Sequence, residues 1–266
     1  MRLIHSCLLA AILFGLPVAK AGAQDARQFV RQAVKNELAR DEADHSHWLY
    51  LEIDQKLSHP VRQWVAETAN GTLRRILQAD GHPLSPSEQQ QRVDGFLSDS
   101  TAQSRQRRSE SHDDREAAEM LEMLPNAFIW TKTGEQAGET WLHFRPDPSF
   151  HPPDLEAKVF AAMEGDMAVD SHEMRIASLR GKMIQDVKIL GGWLGQLNAG
   201  GTFDVERRET GGGIWQITET HVHIQGRALL FKNISEQEDD VKTRFRELPP
   251  DVTMQQARND LMKAQP

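Results

Sequence analysis

Cysteine is almost missing from this chain: of 266 residues only Cys7 carries a thiol. It sits inside an apolar run at the N-terminus, so the chain beyond that run has no disulfide, no thiol nucleophile and no cysteine-ligated metal. Tyrosine is as scarce, with one residue, and aromatic side chains make up only 6% of the chain. Long apolar runs are confined to the start. No second stretch after the first is long enough to span a bilayer. Phosphate loops, His-Glu-x-x-His and Gly-x-Ser-x-Gly are also missing. The glycines between Gly195 and Thr202 lack the lysine of a phosphate loop. These gaps argue against an enzyme and for a chain held together by its core alone.

The apolar run reads as a cleavable export signal over residues 1–23. Met1-Arg2 gives a positive start, Leu3 to Val18 the apolar segment, and Ala21-Gly22-Ala23 the small residues before cleavage. Cys7 precedes most of the apolar segment, which is the wrong place for an acylated lipoprotein cysteine, so no lipid anchor is expected. Arg2 and Lys20 are the only charges of the signal, and removing it leaves 29 Lys+Arg against 39 Asp+Glu. That acidity argues against nucleic acid and against an electrostatic grip on anionic membranes. A soluble periplasmic protein is the expectation.

Residues 24–266 read as one domain. Phe29, Val30, Ala33, Val34 and Leu38 give an apolar face to a helix over 25–42. The segment 46–79 alternates in apolarity, and Asn70-Gly71 predicts a tight hairpin turn. Asp80-Gly81 marks a second turn. Ser85-Pro86-Ser87-Glu88 is a capping box with proline at the first helical position. Residues 98–116 carry mixed charge and almost no apolar side chain, which predicts a solvated, mobile loop able to dock a protein partner. The region of about 79–124 is thus a helical or disordered insertion, its last helix ended by Pro125. From Asn126 onward come strands separated by turn chemistry, including 157–169, 174–185, 187–197, 201–209, 213–224 and 226–235. The prolines at 146, 148, 152 and 153 interrupt them. Nine to eleven strands are expected, all antiparallel, because no helices alternate with them. Thr253-Met254-Gln255-Gln256 predicts a capped C-terminal helix. Leu229-Leu230-Phe231 and Lys188-Ile189-Leu190 imply strands covered on both faces.

Two histidine pairs, His221/His223 and His45/His47, each share a strand face. His143, Glu219 and Asp204 complete the pool of further ligands. Nothing in their spacing makes three or four of them converge, as zinc requires, so neither a metal nor a cofactor is expected. The acidic run Glu236, Glu238, Asp239 and Asp240 lacks the glycine and spacing of a calcium loop. Trp130, Trp141, Trp193, Phe203, Trp215 and Phe231 all fall in the strand array. They serve as core, or else line an apolar ligand pocket that binds by burial alone.

The hairpin from Gly165 to Gly181 has an Asp-centred turn at Asp170-Ser171-His172-Glu173 and resumes with the apolar-Arg-apolar step Met174-Arg175-Ile176. Glu206 to Ile217 repeats the strand, Gly turn, Trp pattern. With the leader and the element order, this resembles the periplasmic lipoprotein-carrier superfamily, which includes the outer-membrane lipoprotein-sorting proteins (LolA-like, LolB-like) and the RseB-type sensor domain. The resemblance implies an α+β fold, a single strongly curved antiparallel sheet (a half-barrel) with helices covering the concave side. It also implies a non-catalytic protein that shields an apolar ligand, a lipid or lipidated protein, under a lid that is either a movable helix or the loop 98–116. An envelope sensor on the same fold is the alternative, and a secreted hydrolase using the histidines a second one.

Overall fold

In the computed structural model, residues 18–56, 59–189, 195–228 and 232–265 are described. The signal up to residue 17, Trp193 and Phe231 therefore lie outside the described residues. The elements run α1 (Val18–Ala43), β1 (His47–Asp54), β2 (Val61–Thr68), β3 (Gly71–Ala79), β4 (His82–Pro83), α2 (Pro86–Ser98), α3 (Ser100–Ala127), β5 (Phe128–Gln136) and β6 (Glu139–Pro146). There follow α4 (Leu155–Phe160), β7 (Met163–Asp170), β8 (Ile176–Met183), β9 (Val187–Ile189), β10 (Gly195–Leu197), β11 (Thr202–Gly211), β12 (Ile214–Ala228), β13 (Lys232–Leu248) and α5 (Met254–Lys263).

Mixed helix and strand is as expected, and the 13 strands form one antiparallel sheet. Its main path is β4-β3-β2-β1-β13-β12-β11-β8-β7-β6-β5, with β9 and β10 branching from β12. The path does not close on itself, since β4 and β5 are its two ends. The seam between β1 and β13 joins the N-terminal strands to the rest.

Local chemistry sets several boundaries. Gly71 opens β3 at φ +116°, where a side chain is disfavoured. Both capping boxes form: Ser85 on α2 and Thr253 on α5 each exchange hydrogen bonds with the third helical residue. Residues 98–116 are a correction. They are not a loop but the bulk of α3, which Asp99 caps by accepting from the Ala102 amide at 2.9 Å. Arg, Glu, Gln and Ala favour helix without an apolar stripe, and His112 adds an i,i+4 contact with Glu116 at 3.1 Å. Residues 111–117 of α3 are exposed. Pro125 is tolerated inside its last turn and does not end it. The strand expected over 157–169 is replaced at its start by α4, capped by Asp154 through the Ala157 amide at 2.7 Å. β12 and β13 also run longer than expected, carrying the acidic run of 236–240 inside a strand.

Cross-strand partners share a sheet face, so the register identifies the faces. The row Leu142–Met167–Leu179–Val205–Thr220–Asp240–Asp54 crosses seven strands on one face. Towards β5 this face packs against α1 and the end of α3 through Val30, Ala33, Val34, Leu124, Trp130, Phe144 and Met167. Leu49, Leu51, Trp64, Leu73 and Leu77 alternate onto the opposite face, where Val93 of α2 is buried and Ala257 and Leu261 of α5 pack. Helices thus cover opposite faces at the two ends of the sheet.

Candidate functional site

The aromatic floor lies under α1. Trp130 is fully buried, and its ring is 5.9 Å from Phe128 and 5.3 Å from Phe144. Its indole N–H donates to the Leu124 carbonyl at 3.0 Å, so the one polar atom is satisfied. The same row continues Trp130–Phe144–Gly165–Gly181–Phe203. The two glycines have different causes: a Cβ on Gly181 would lie 2.3 Å from the Phe203 ring, whereas one on Gly165 would lie 1.9 Å from the Arg180 carbonyl oxygen of the neighbouring strand. Gly181 leaves room for the Phe203 ring across the row, and Gly165 lets the backbones of β7 and β8 approach.

The predicted aromatic set therefore divides. Trp130 and Phe203 share the floor. Trp141 alternates with Leu142 onto the opposite face, and its indole nitrogen is buried without a partner. Trp215 donates to the Glu173 carboxylate at 3.4 Å, near the C-terminal half of α1.

The two halves of α1 are held differently. Its C-terminal half is bolted by Glu37, which is fully buried. Arg175 Nε donates to both Glu37 oxygens at 3.1 Å, Arg175 Nη2 to Oε1 at 2.6 Å, and the Ile176 amide to Oε2 at 3.0 Å. Arg207 donates to Oε1 as well. Burial pushes the Glu37 carboxyl up, but the Arg175 hydrogen bond, the two guanidinium charges and the Ile176 amide together hold it below its ordinary value. Burial raises the neighbouring Asp41, 3.4 Å from both guanidiniums. One residue further back, Asn36 donates to the carbonyls of Glu173 and Met174. Among the described residues the N-terminal half has a single ion pair, Arg27 to Asp147 at 2.7 Å, and one weak bond from Arg27 to the Phe128 carbonyl. Otherwise it rests on apolar contact by Ala26, Phe29, Val30 and Ala33.

Beside that looser half is an open cleft of about 580 Å³, lined by Ala23, Gln24, Arg27, Gln28, Arg31, Ile129, Trp130 and Asp147. Gln24, Arg27, Gln28 and Arg31 recur at helical spacing and form one wall. The cleft leads to the edge of the aromatic floor.

His143 and the His221/His223 pair do not converge on one point. On the face opposite α1, the row His143–Asp166–Arg180–Asp204–His221–Asp239 alternates in potential charge across six strands. His143 contacts Asp166 at 3.0 Å, while His221 and His223 both contact Asp239, at 2.7 and 3.0 Å. Three strands separate His143 from His221 in the sheet order, roughly 19 Å at the usual strand spacing. Among the described residues no group of three or more His, Cys, Asp or Glu is placed to hold a metal ion. The row is a solvated ion ladder, and the hydrogen bond with Asp239 raises the His221 imidazole above its ordinary pKa. Because the folded value is raised, this pair adds stability below about pH 6.5, and the contribution is lost as pH rises through the folded value. An NMR titration of the imidazoles is expected to show His221 titrating above a free histidine, and Asp239→Asn is expected to bring it back. An unmoved His221 would mean the contact is absent in solution.

No family model matches the sequence, and no curated protein matches it. No helix among the described residues is long and apolar enough to cross a membrane.

The bolt was missed by sequence reasoning. Arg175 stands in the Met174-Arg175-Ile176 step, so the arginine was visible, but its acceptor lies 138 residues away.

Proposed function

We propose that this is an exported, non-catalytic binding protein that shields an apolar ligand, a lipid or a lipidated protein, beneath the N-terminal half of α1. On this reading the sheet is a curved half-barrel and α1 is its lid. The observation that carries it is the asymmetry of α1: a C-terminal half fixed by the buried Glu37 and an N-terminal half held mainly by apolar contact over Trp130 and Phe144. The described floor is filled by the helix itself, so ligand entry exchanges one apolar cover for another. A buried acyl chain gains about 0.8 kcal/mol per methylene. A dozen methylenes, roughly 10 kcal/mol gross on that scale, compare with the loss of a few small apolar side chains from the interface. The cleft beside Trp130 is the entrance, and Arg27 and Arg31 at its wall suit a polar or anionic head outside it.

Native mass spectrometry of the protein purified from a cell-envelope fraction without detergent tests this. The expected result is a bound lipid or acyl-peptide mass, released when Ala33→Trp overfills the floor. A mass that stays that of the bare chain when lipids are offered would reject the carrier reading. It would favour the sensor alternative, with the exposed segment 111–117 of α3 as its first surface to test.

A further inference from the structure

Far from α1 on the same face, two acids meet at the seam of the sheet. Asp54 of β1 and Asp240 of β13 are direct cross-strand partners. The Gln55 amide donates to the Asp239 carbonyl at 2.9 Å. That bond makes Asp54 and Asp240 a non-hydrogen-bonded pair, the arrangement in which facing side chains come closest. Like charges directly opposite each other destabilise a sheet.

Their surroundings answer only half of this. Each carboxyl has one oxygen taken by a lysine: Asp54 Oδ2 by Lys56 at 3.5 Å, and Asp240 Oδ2 by Lys242 at 3.3 Å. The remaining oxygen of each, Oδ1, is buried and has no hydrogen-bond partner among the described residues. Asp240 is only 8% exposed. One proton would satisfy two unpartnered carboxyl oxygens on facing residues together, the protonated acid donating to the ionised one.

We propose that Asp54 and Asp240 hold a single proton between them, forming an acid-stabilised clasp at the β1–β13 seam. Among the described residues, the other charged groups facing the pair do not supply that missing donor. Lys56 also serves Glu238 at 3.1 Å. Lys242 also lies 3.9 Å from Glu52 and over the Tyr50 ring. Arg74 of β3 and Gln63 of β2 both donate to Glu52, and Arg74 also attracts Glu110 of α3. Thr220 of β12 and Val61 of β2 flank the pair in register. Burial raises both acids, Asp240 to about 6. With folded values above the ordinary 3.8, proton binding stabilises the seam below the upper step, the one-proton clasp holds between the two steps, and it is lost as pH rises through about 6. Loss of the proton leaves two carboxylates facing each other where the two parts of the sheet join.

Carboxyl-selective ¹³C NMR titration of the full chain tests this directly. The expected result is a coupled pair that titrates in two steps, the upper one well above an ordinary aspartate. In Asp54→Asn the new amide supplies the donor permanently, so the titration of Asp240 moves down by at least about one unit, a tenfold change in proton affinity. Protection factors of the amides at Ile53–Gln55 and Asp239–Val241 are expected to fall about tenfold above the upper step in the native protein, and to stay level in Asp54→Asn. Independent single-step titration of the two acids in the native protein would overturn the proposal, as would an Asp240 titration unchanged by Asp54→Asn. The first of these needs no variant to fold.

Discussion

Glu37→Ala is expected to destabilise the protein by about 3–5 kcal/mol, the cost of breaking a buried pair by removing one partner. The reason is what remains. Arg175 is 3% exposed, and without Glu37 its guanidinium keeps only Asp41 at 3.4 Å. The Ile176 amide loses its acceptor at the same time, and Arg207 keeps only the 3.4 Å contacts with Asp41 and the Trp215 carbonyl. Glu37→Gln keeps the shape and one carbonyl acceptor but not the charge, so it is expected to fall between the two. Urea unfolding at neutral pH measures both. The pH dependence has a definite sign. The folded pKa of Glu37 is lowered, so its contribution is present above the ordinary value of 4.5 and is lost as pH falls through the folded one. Glu37→Gln is therefore expected to unfold with a flatter acid limb than the native protein. An unchanged midpoint in Glu37→Ala would show that α1 is not bolted by this residue.

Gly165→Ala is expected to be of similar severity, about 3 kcal/mol or more for overpacking that rotamer change cannot relieve. The added Cβ would lie 1.9 Å from the backbone oxygen of Arg180, so β7 and β8 must move apart. Gly181→Ala meets a side chain instead, the Phe203 ring at 2.3 Å. It is expected to cost less and to be rescued by Phe203→Leu, which the Gly165 variant is not. A double-mutant cycle with Phe203→Leu separates the two cases. Equal tolerance of both alanines would mean that the Trp130–Phe203 row is not packed as described.

Features with a local cause were legible in the sequence. Asn70-Gly71 sets the β2–β3 turn, and Ser85 and Thr253 start their helices, because each signal acts within three residues. The antiparallel sheet was legible because alternation and turn chemistry recur without intervening helices. The helix α3 was not: its 105–116 stretch has no apolar face, and helix propensity alone leaves no periodic trace. The aromatic floor was half legible. Alternation already set Trp141 and His143 against Leu142 and Phe144, but only register shows that Trp130 and Phe203 share a row while Trp141 faces away. Glu37 with Arg175, and Asp54 with Asp240, join residues 138 and 186 positions apart in sequence, distances over which no pattern in a single chain points from one partner to the other.

The central claim, that the N-terminal half of α1 is a lid over an apolar floor, is tested most directly by amide hydrogen exchange across the helix, with and without an offered fatty acid. Residues 24–34 are expected to exchange well before residues 36–41, and the fatty acid is expected to change exchange in 24–34 while leaving 36–41 as it was. One uniform protection along the helix, unmoved by the fatty acid, would contradict the account and leave α1 as a fixed part of the core.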